Sequence, residues 1–114
     1  MLNWIFITGG AGFIGSRLAR ALSPSVEQIT VFDNLHTQVH GEHASSPDFP
    51  ENVEFILGDV ADGAHLNASV MKADPDTIFH LAAETGTGQS YDEPARYNSV
   101  NVMGTAHVIE AVRS

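Results

Sequence analysis

The chain has no cysteine, which excludes a disulfide framework, a thiolate metal site and a thiol nucleophile. Cations are almost as scarce. Five lysines and arginines face fourteen aspartates and glutamates, for a net charge of −9. The five (Arg17, Arg20, Lys72, Arg96 and Arg113) are scattered, so no patch can neutralise a run of phosphates, and neither nucleic acid nor an anionic membrane is expected as a partner. Long apolar runs are missing too. The N-terminal stretch MLNWIFITGG holds only Trp4 to Ile7 as an apolar run and has no basic flank, so no signal peptide and no membrane span is expected. These absences predict a soluble cytoplasmic protein. At 114 residues with 43% hydrophobic and 17% charged residues, it has the size and composition of one globular domain.

What is present alternates. Trp4-Ile5-Phe6-Ile7 is a short solid run, as expected of a strand buried on both faces, and Ile29-Thr30-Val31-Phe32, Val53 to Leu57 and Thr77 to Leu81 read as three further strands. Between them lie helical spacings. Ile14, Leu18 and Leu22 predict one helical face closed by Pro24, and Leu66 and Val70 mark a short helix with Asp62 as its cap and Pro75 beyond it. The longest helix is expected from about Glu93 to Arg113. Strands alternating with helices imply a parallel sheet with right-handed crossovers. Residues 34–50 lack periodicity and form a loop well beyond the usual length.

The last helix is expected to carry two apolar stripes: Tyr97, Val100, Asn101, Gly104, Val108 and Ala111 on one, and Val102, Ala106 and Ile109 on the other. One stripe suffices to cover a sheet. The second, with an open edge at the fourth strand, predicts an incomplete fold or one completed by self-association, as in a homodimer.

The densest signal is TGGAGFIG at residues 8–15, with Gly9, Gly12 and Gly15 directly after a strand and opening a helix. A glycine-rich turn is the plain reading. The functional one is a dinucleotide cradle: a tight turn, close backbone approach to a pyrophosphate, and close packing of helix on strand. Asp33 ends the second strand 18 residues after Gly15. It reads as a turn aspartate or as an acceptor for both hydroxyls of an adenosine ribose. No arginine lies in the loop after it to accept a 2′-phosphate, so NAD is favoured over NADP.

TGGAGFIG, VFDNL, GDVAD, IFHLAAETGTGQS and NSVNVMGTAHVIEAVR occur in that order. Together they resemble the N-terminal part of the extended short-chain dehydrogenase/reductase family, the NAD-dependent sugar-nucleotide epimerases and dehydratases. The resemblance runs from residue 4 onward, except for the 34–50 loop. It implies an incomplete Rossmann-like, doubly wound α/β sheet of about four parallel strands in the order 3-2-1-4. Residues 1–114 would form a single NAD-binding domain, an N-terminal fragment of a longer protein acting on a nucleotide-sugar.

The resemblance also carries roles onto residues. Gly9, Gly12, Phe13, Ile14 and Gly15 would form the pyrophosphate turn; Asp33 and Asn34 would meet the adenosine ribose, and Asp59 and Val60 the adenine edge. Leu81, Ala82 and Ala83 would form a floor beneath the cofactor, and Asn101 would stand near it. Thr85 and Thr87 would face substrate, although the family often has an apolar residue where Thr87 stands. Catalysis in the family needs a tyrosine with a lysine four residues later, whose charge lowers the phenol pKa. Here Ala95 follows Tyr91 and Asn101 follows Tyr97 at that spacing, so no catalytic residue is assigned and the chain by itself is expected to be inactive, with a non-catalytic dinucleotide-binding or interaction module as the alternative. His36, His40 and His43 lie in a polar loop without a well-placed fourth ligand, so no metal is expected. His80 reads as a hydrogen-bonded structural residue, His107 as a partly exposed helical one, and Glu84 as a solvated loop acid or a contact to cofactor or substrate.

Overall fold

A computed structural model of the chain describes residues 3–35, 48–83 and 94–113. Four strands, β1 (Trp4–Thr8), β2 (Gln28–Asp33), β3 (Val53–Leu57) and β4 (Thr77–His80), pair in parallel in the order β3-β2-β1-β4, as expected. Thr8 stands beside Phe32 on one flank and His80 on the other, so the C-terminal ends of the strands are level. The fourth strand stops at His80, one residue earlier than its apolar run suggests, although Leu81 N–H still bonds to Thr8 O at 3.0 Å.

Alternation along the central strands sends side chains to two cores. Ile5, Ile7, Ile29 and Val31 pack with Ala19, Leu18 and Leu22 of α1 (Phe13–Leu22). Phe6 and Phe32 point the other way, to Leu66 and Val70 of α2 (Gly63–Ala73) and to Val100, Val108 and Ala111 of the last helix. Helices therefore cover both faces, which is the doubly wound arrangement. The sequence signals for α2 hold: Asp62 Oδ1 accepts the His65 N–H at 3.2 Å, and Asp74, left-handed at φ 47°, ends the helix ahead of Pro75.

Two expectations need correction. Ile14 does not share the buried face of α1 with Leu18 and Leu22 but is 68% exposed; the first turn overhangs the C-terminal end of the sheet, where no described element covers it. The last helix, moreover, is not one regular α-helix. It runs as α3 (Pro94–Asn98), a π-helical turn (Ser99–Met103) and α4 (Gly104–Arg113), with Gly104 N–H bonded to Ser99 O. The π turn inserts one residue into the helical period. Tyr97, Val100, Gly104, Val108 and Ala111 stay buried, while Asn101 leaves that stripe and is exposed. The second stripe is exposed at Val102 and Ile109, flanked by exposed Met103 and Val112. Among the described residues, no helix is long and apolar enough to cross a membrane.

Candidate functional site

In an open parallel sheet, ligands bind beyond the carboxyl ends of the strands, where the strand order reverses direction. Here that point lies between β1 and β4, and the candidate residues gather around it. The turn after β1 opens with Gly9 at φ +71°. Its N–H bonds to Phe32 O at 2.8 Å and its carbonyl accepts Gly12 N–H at 3.1 Å. A Cβ on Gly9 would stand 2.7 Å from the Ala82 nitrogen and 2.8 Å from the Leu81 carbonyl carbon. The glycine is thus required both by its left-handed backbone and by the chain leaving β4. A Cβ on Gly15 would collide with the Gly9 carbonyl oxygen, so the first turn of α1 rests directly on the loop.

That turn is poised for an anion. Gly12 holds the N-cap position without a side-chain cap, and no acid stands in the first turn. The first bond back is from Ser16 N–H to Gly12 O at 2.9 Å; the N–H groups of Phe13, Ile14 and Gly15 lead the helix, where intrahelical acceptors are lacking and the dipole favours negative charge. The Phe13 ring is 71% exposed and lies under the Arg17 guanidinium, 3.7 Å from the ring centroid. Phe13 and Ile14 can therefore offer backbone from a fixed turn, with side chains open to a ligand.

Asp33 closes β2 and is buried. Its Oδ2 accepts the Ala11 N–H at 3.0 Å and its Oδ1 the Leu35 N–H at 2.8 Å, so this carboxylate ties the glycine turn to the end of β2. A carboxylate oxygen can accept from more than one donor, a ligand hydroxyl among them. Asn34 Nδ2 reaches Asp59 Oδ2 at 3.4 Å, and Asp59 Oδ1 accepts the Ala61 N–H at 2.9 Å. Val60 is 3% exposed, with its side chain in the core against Gly104, so a ligand could meet only its backbone.

Beyond β4, Leu81 and Ala83 are exposed and Ala82 half-buried. Leu81 and Ala82 N–H both donate to Thr8 Oγ1, at 3.1 and 3.2 Å. That hydroxyl lies 2.6 Å from His80 Nδ1, and His80 Nε2 lies 3.1 Å from Thr105 Oγ1. His80 is therefore the hydrogen-bonded structural histidine expected, and burial holds its pKa below the usual imidazole value. His107, partly exposed as expected, also has its Nδ1 on Val60 O at 2.8 Å. Nothing along the chain singles out Thr8 or Thr105: a threonine in a strand or helix carries no signal until its partner is known.

Asn101 is on the exposed side of the π turn, with its carbonyl accepting the Thr105 hydroxyl at 2.9 Å. Glu84, Thr85, Thr87, Tyr91, His36, His40 and His43 lie outside the described residues. Among the described ones, no cluster of metal-ligating side chains forms. A cavity of about 460 Å³ lies at the opposite end of β4, lined by Val70, Asp76, Thr77, Ile78 and Val112 among others; it is remote from the glycine turn and takes no part in this site.

Residues 6–114 match the family model described as GDP-mannose 4,6 dehydratase. The chain belongs to this family. Its place is among the extended short-chain dehydrogenase/reductases that the motif order resembles. Among its relatives, dTDP-L-rhamnose 4-epimerase of Burkholderia thailandensis is 41% identical over 108 residues, covering 95% of this chain and 30% of that protein. dTDP-glucose 4,6-dehydratase of Salmonella typhimurium is 33% identical over 110 residues, covering 96% of this chain and 30% of that protein. The crystal structure of UDP-glucose 4-epimerase from Brucella ovis in complex with NAD matches with a TM-score of 0.78 at 35% identity, covering 97% of this chain and 32% of that one. The chain thus spans about a third of the length of these family members.

Proposed function

We propose that residues 1–114 are the NAD-binding, N-terminal portion of a nucleotide-sugar epimerase or dehydratase. The observation that carries the reading is the junction of Gly9, Gly15 and Asp33: a turn with room only for glycine at 9 and 15, under an uncapped helix and tied by a buried carboxylate to the end of β2. These residues fit a dinucleotide. The N–H groups of Phe13, Ile14 and Gly15, with Gly9 and Gly12 shaping the turn, would take the pyrophosphate; Asp33 and Asn34 would take the adenosine ribose. Asp59 and Val60 would border the adenine, Leu81 to Ala83 would underlie the cofactor, and Asn101 would stand near it.

NAD, when bound, supplies an acceptor that takes a hydride and returns it. In this chain the residues bind and orient. The Asp33 carboxylate would repel a 2′-phosphate, which favours NAD over NADP. Thr85 and Thr87 are the proposed substrate-facing residues. No tyrosine here has a lysine four residues on, so proton transfer to and from a sugar hydroxyl is assigned to none of these side chains, and residues 1–114 alone should bind without turning over. The relatives include both 4-epimerases and a 4,6-dehydratase, and epimerisation is the reading we place first. A stand-alone binding module is less favoured, because the proteins matched are enzymes of which this chain spans a third. We further propose a cytoplasmic protein that self-associates, as a homodimer, through the exposed stripe of α4 and the open edge of β4.

Calorimetric titration with NAD and NADP tests the reading. Saturable NAD binding, at least tenfold tighter than NADP and weakened in Asp33→Ala, is expected. A folded chain that binds neither at millimolar concentration would overturn it.

A further inference from the structure

Two tethers run from the start of α4 to two different loops at the carboxyl ends of the strands. The first is a chain of hydrogen bonds with a fixed direction. Thr8 Oγ1 accepts from Ala82 N–H and from the Leu81 N–H, which it shares with Thr8 O, so both its lone pairs are engaged. Its own proton must then go to His80 Nδ1. His80 Nδ1 is therefore the unprotonated ring nitrogen, and Nε2–H donates to Thr105 Oγ1, whose proton goes to Asn101 O. The second tether has the opposite tautomer. A carbonyl only accepts, so the contact of His107 Nδ1 with Val60 O places the proton on Nδ1.

From this we infer that Thr105 and His107, in the first turn of α4, are positioning residues. They hold loop 81–82 and loop 58–60 at a fixed separation, and neither touches the ligand. The inference rests on the dinucleotide reading, in which loop 58–60 borders the adenine and loop 81–82 underlies the cofactor beyond its adenosine. Packing supports a rigid strut at this point. A Cβ on Gly104 would stand 2.6 Å from Val60 Cγ2, and one on Gly63 would stand 2.8 Å from the His107 ring, so the helix lies on the 58–63 segment with no slack. The π turn just before α4 sets the rotation that aims Thr105 at β4 and His107 at the end of β3.

Amide hydrogen exchange and ligand titration on the whole chain test this with four variants. Thr105→Val removes the hydroxyl and keeps the shape, and Thr105→Ser restores it. His107→Leu removes the donor, and His107→Asn restores an N–H near the Nδ1 position. Faster exchange centred on Ala82 is expected in Thr105→Val, since Leu81 N–H also bonds to Thr8 O. In His107→Leu it should be confined to Gly58, Ala61 and Asp62, whose N–H groups hold loop 58–60. Both restoring variants should behave as the parent. Thr105→Val should weaken NAD roughly fivefold, as for one lost hydrogen bond, with 5′-AMP unchanged, whereas His107→Leu should weaken both alike. Nitrogen shifts of the two imidazoles should report the opposite tautomers. Uniform exchange changes, equal loss of AMP and NAD in both variants, or failure of Thr105→Ser to restore the parent would overturn the inference. If the parent chain binds neither ligand, the dinucleotide reading fails, and the exchange pattern alone decides the tethers: local acceleration upholds them, and its absence overturns them.

Discussion

Gly9 and Ala82 meet backbone to backbone: the space a Gly9 Cβ would occupy lies 2.7 Å from the Ala82 nitrogen. Two segments 73 residues apart in sequence thereby form one floor beside the glycine turn, with Thr8 Oγ1 fixing the second segment from below.

Gly9→Ala should therefore be costly on two counts, the left-handed backbone at φ +71° and the collision with loop 81–82. A loss of roughly 2–4 kcal/mol is expected, since a strained backbone alone costs about 1–3 kcal/mol. Chemical denaturation measures it, and a loss below about 1 kcal/mol would mean that the loop after β4 yields.

Gly104 and Val60 offer a test by double-mutant cycle. Gly104→Ala places a methyl against a stiff β-branched side chain and should cost about 1–3 kcal/mol, despite the better helix propensity of alanine. Val60→Ala opens the space, so the double variant should be less destabilised than the sum of the singles by at least about 0.5 kcal/mol. Additive losses would place the strain elsewhere.

Asp62→Ala removes the cap of α2. A loss of about 0.5–2 kcal/mol is expected, read by thermal or urea unfolding, with Asp62→Ser recovering most of it.

His80 and Asp76 set the dependence on pH. Burial lowers the His80 pKa. Below the ordinary value near 6.5, the unfolded chain takes up a proton that the native His80 resists. Its contribution is thus complete above that value and is lost as pH falls toward the depressed native pKa. Asp76 is exposed, and its pKa is lowered first by the Asn3 N–H and then by the Trp4 N–H; Oδ2 accepts from both, at 2.9 and 3.0 Å. Its contribution is present above the ordinary carboxylate pKa and lost as pH falls through the lowered one. Unfolding free energies from pH 7.5 to 3 should fall in two steps. His80→Asn should remove the upper step and Asp76→Asn the lower, and an unchanged upper step in His80→Asn would assign it to another histidine.

Much of this fold was legible because its signals are local. Short runs rich in apolar residues marked β1 to β3 closely, the Asp62 cap marked α2, and Pro24 marked the end of α1. The errors came where a period stopped being local. Ile14 obeys the spacing of α1, but the helix overhangs the sheet at that point. Asn101 obeys the spacing of the last helix until the π turn between Ser99 and Met103 shifts the phase, and nothing in SVNVM announces a five-residue turn.

The candidate site divides in the same way. The glycine spacing, Asp33 and the motif order are properties of the chain itself, because a turn and a strand end are built from neighbouring residues. The sequence by itself determined the strand–turn–helix unit, its acid and the family. Only the tertiary structure decided that Thr8, His80 and Thr105 form one relay, that His107 holds Val60, and that Gly9 lies under Ala82. Those contacts join residues 25 to 74 positions apart. No pattern along the chain encodes a contact that exists only once parallel strands and their crossover helices bring the distant ends together.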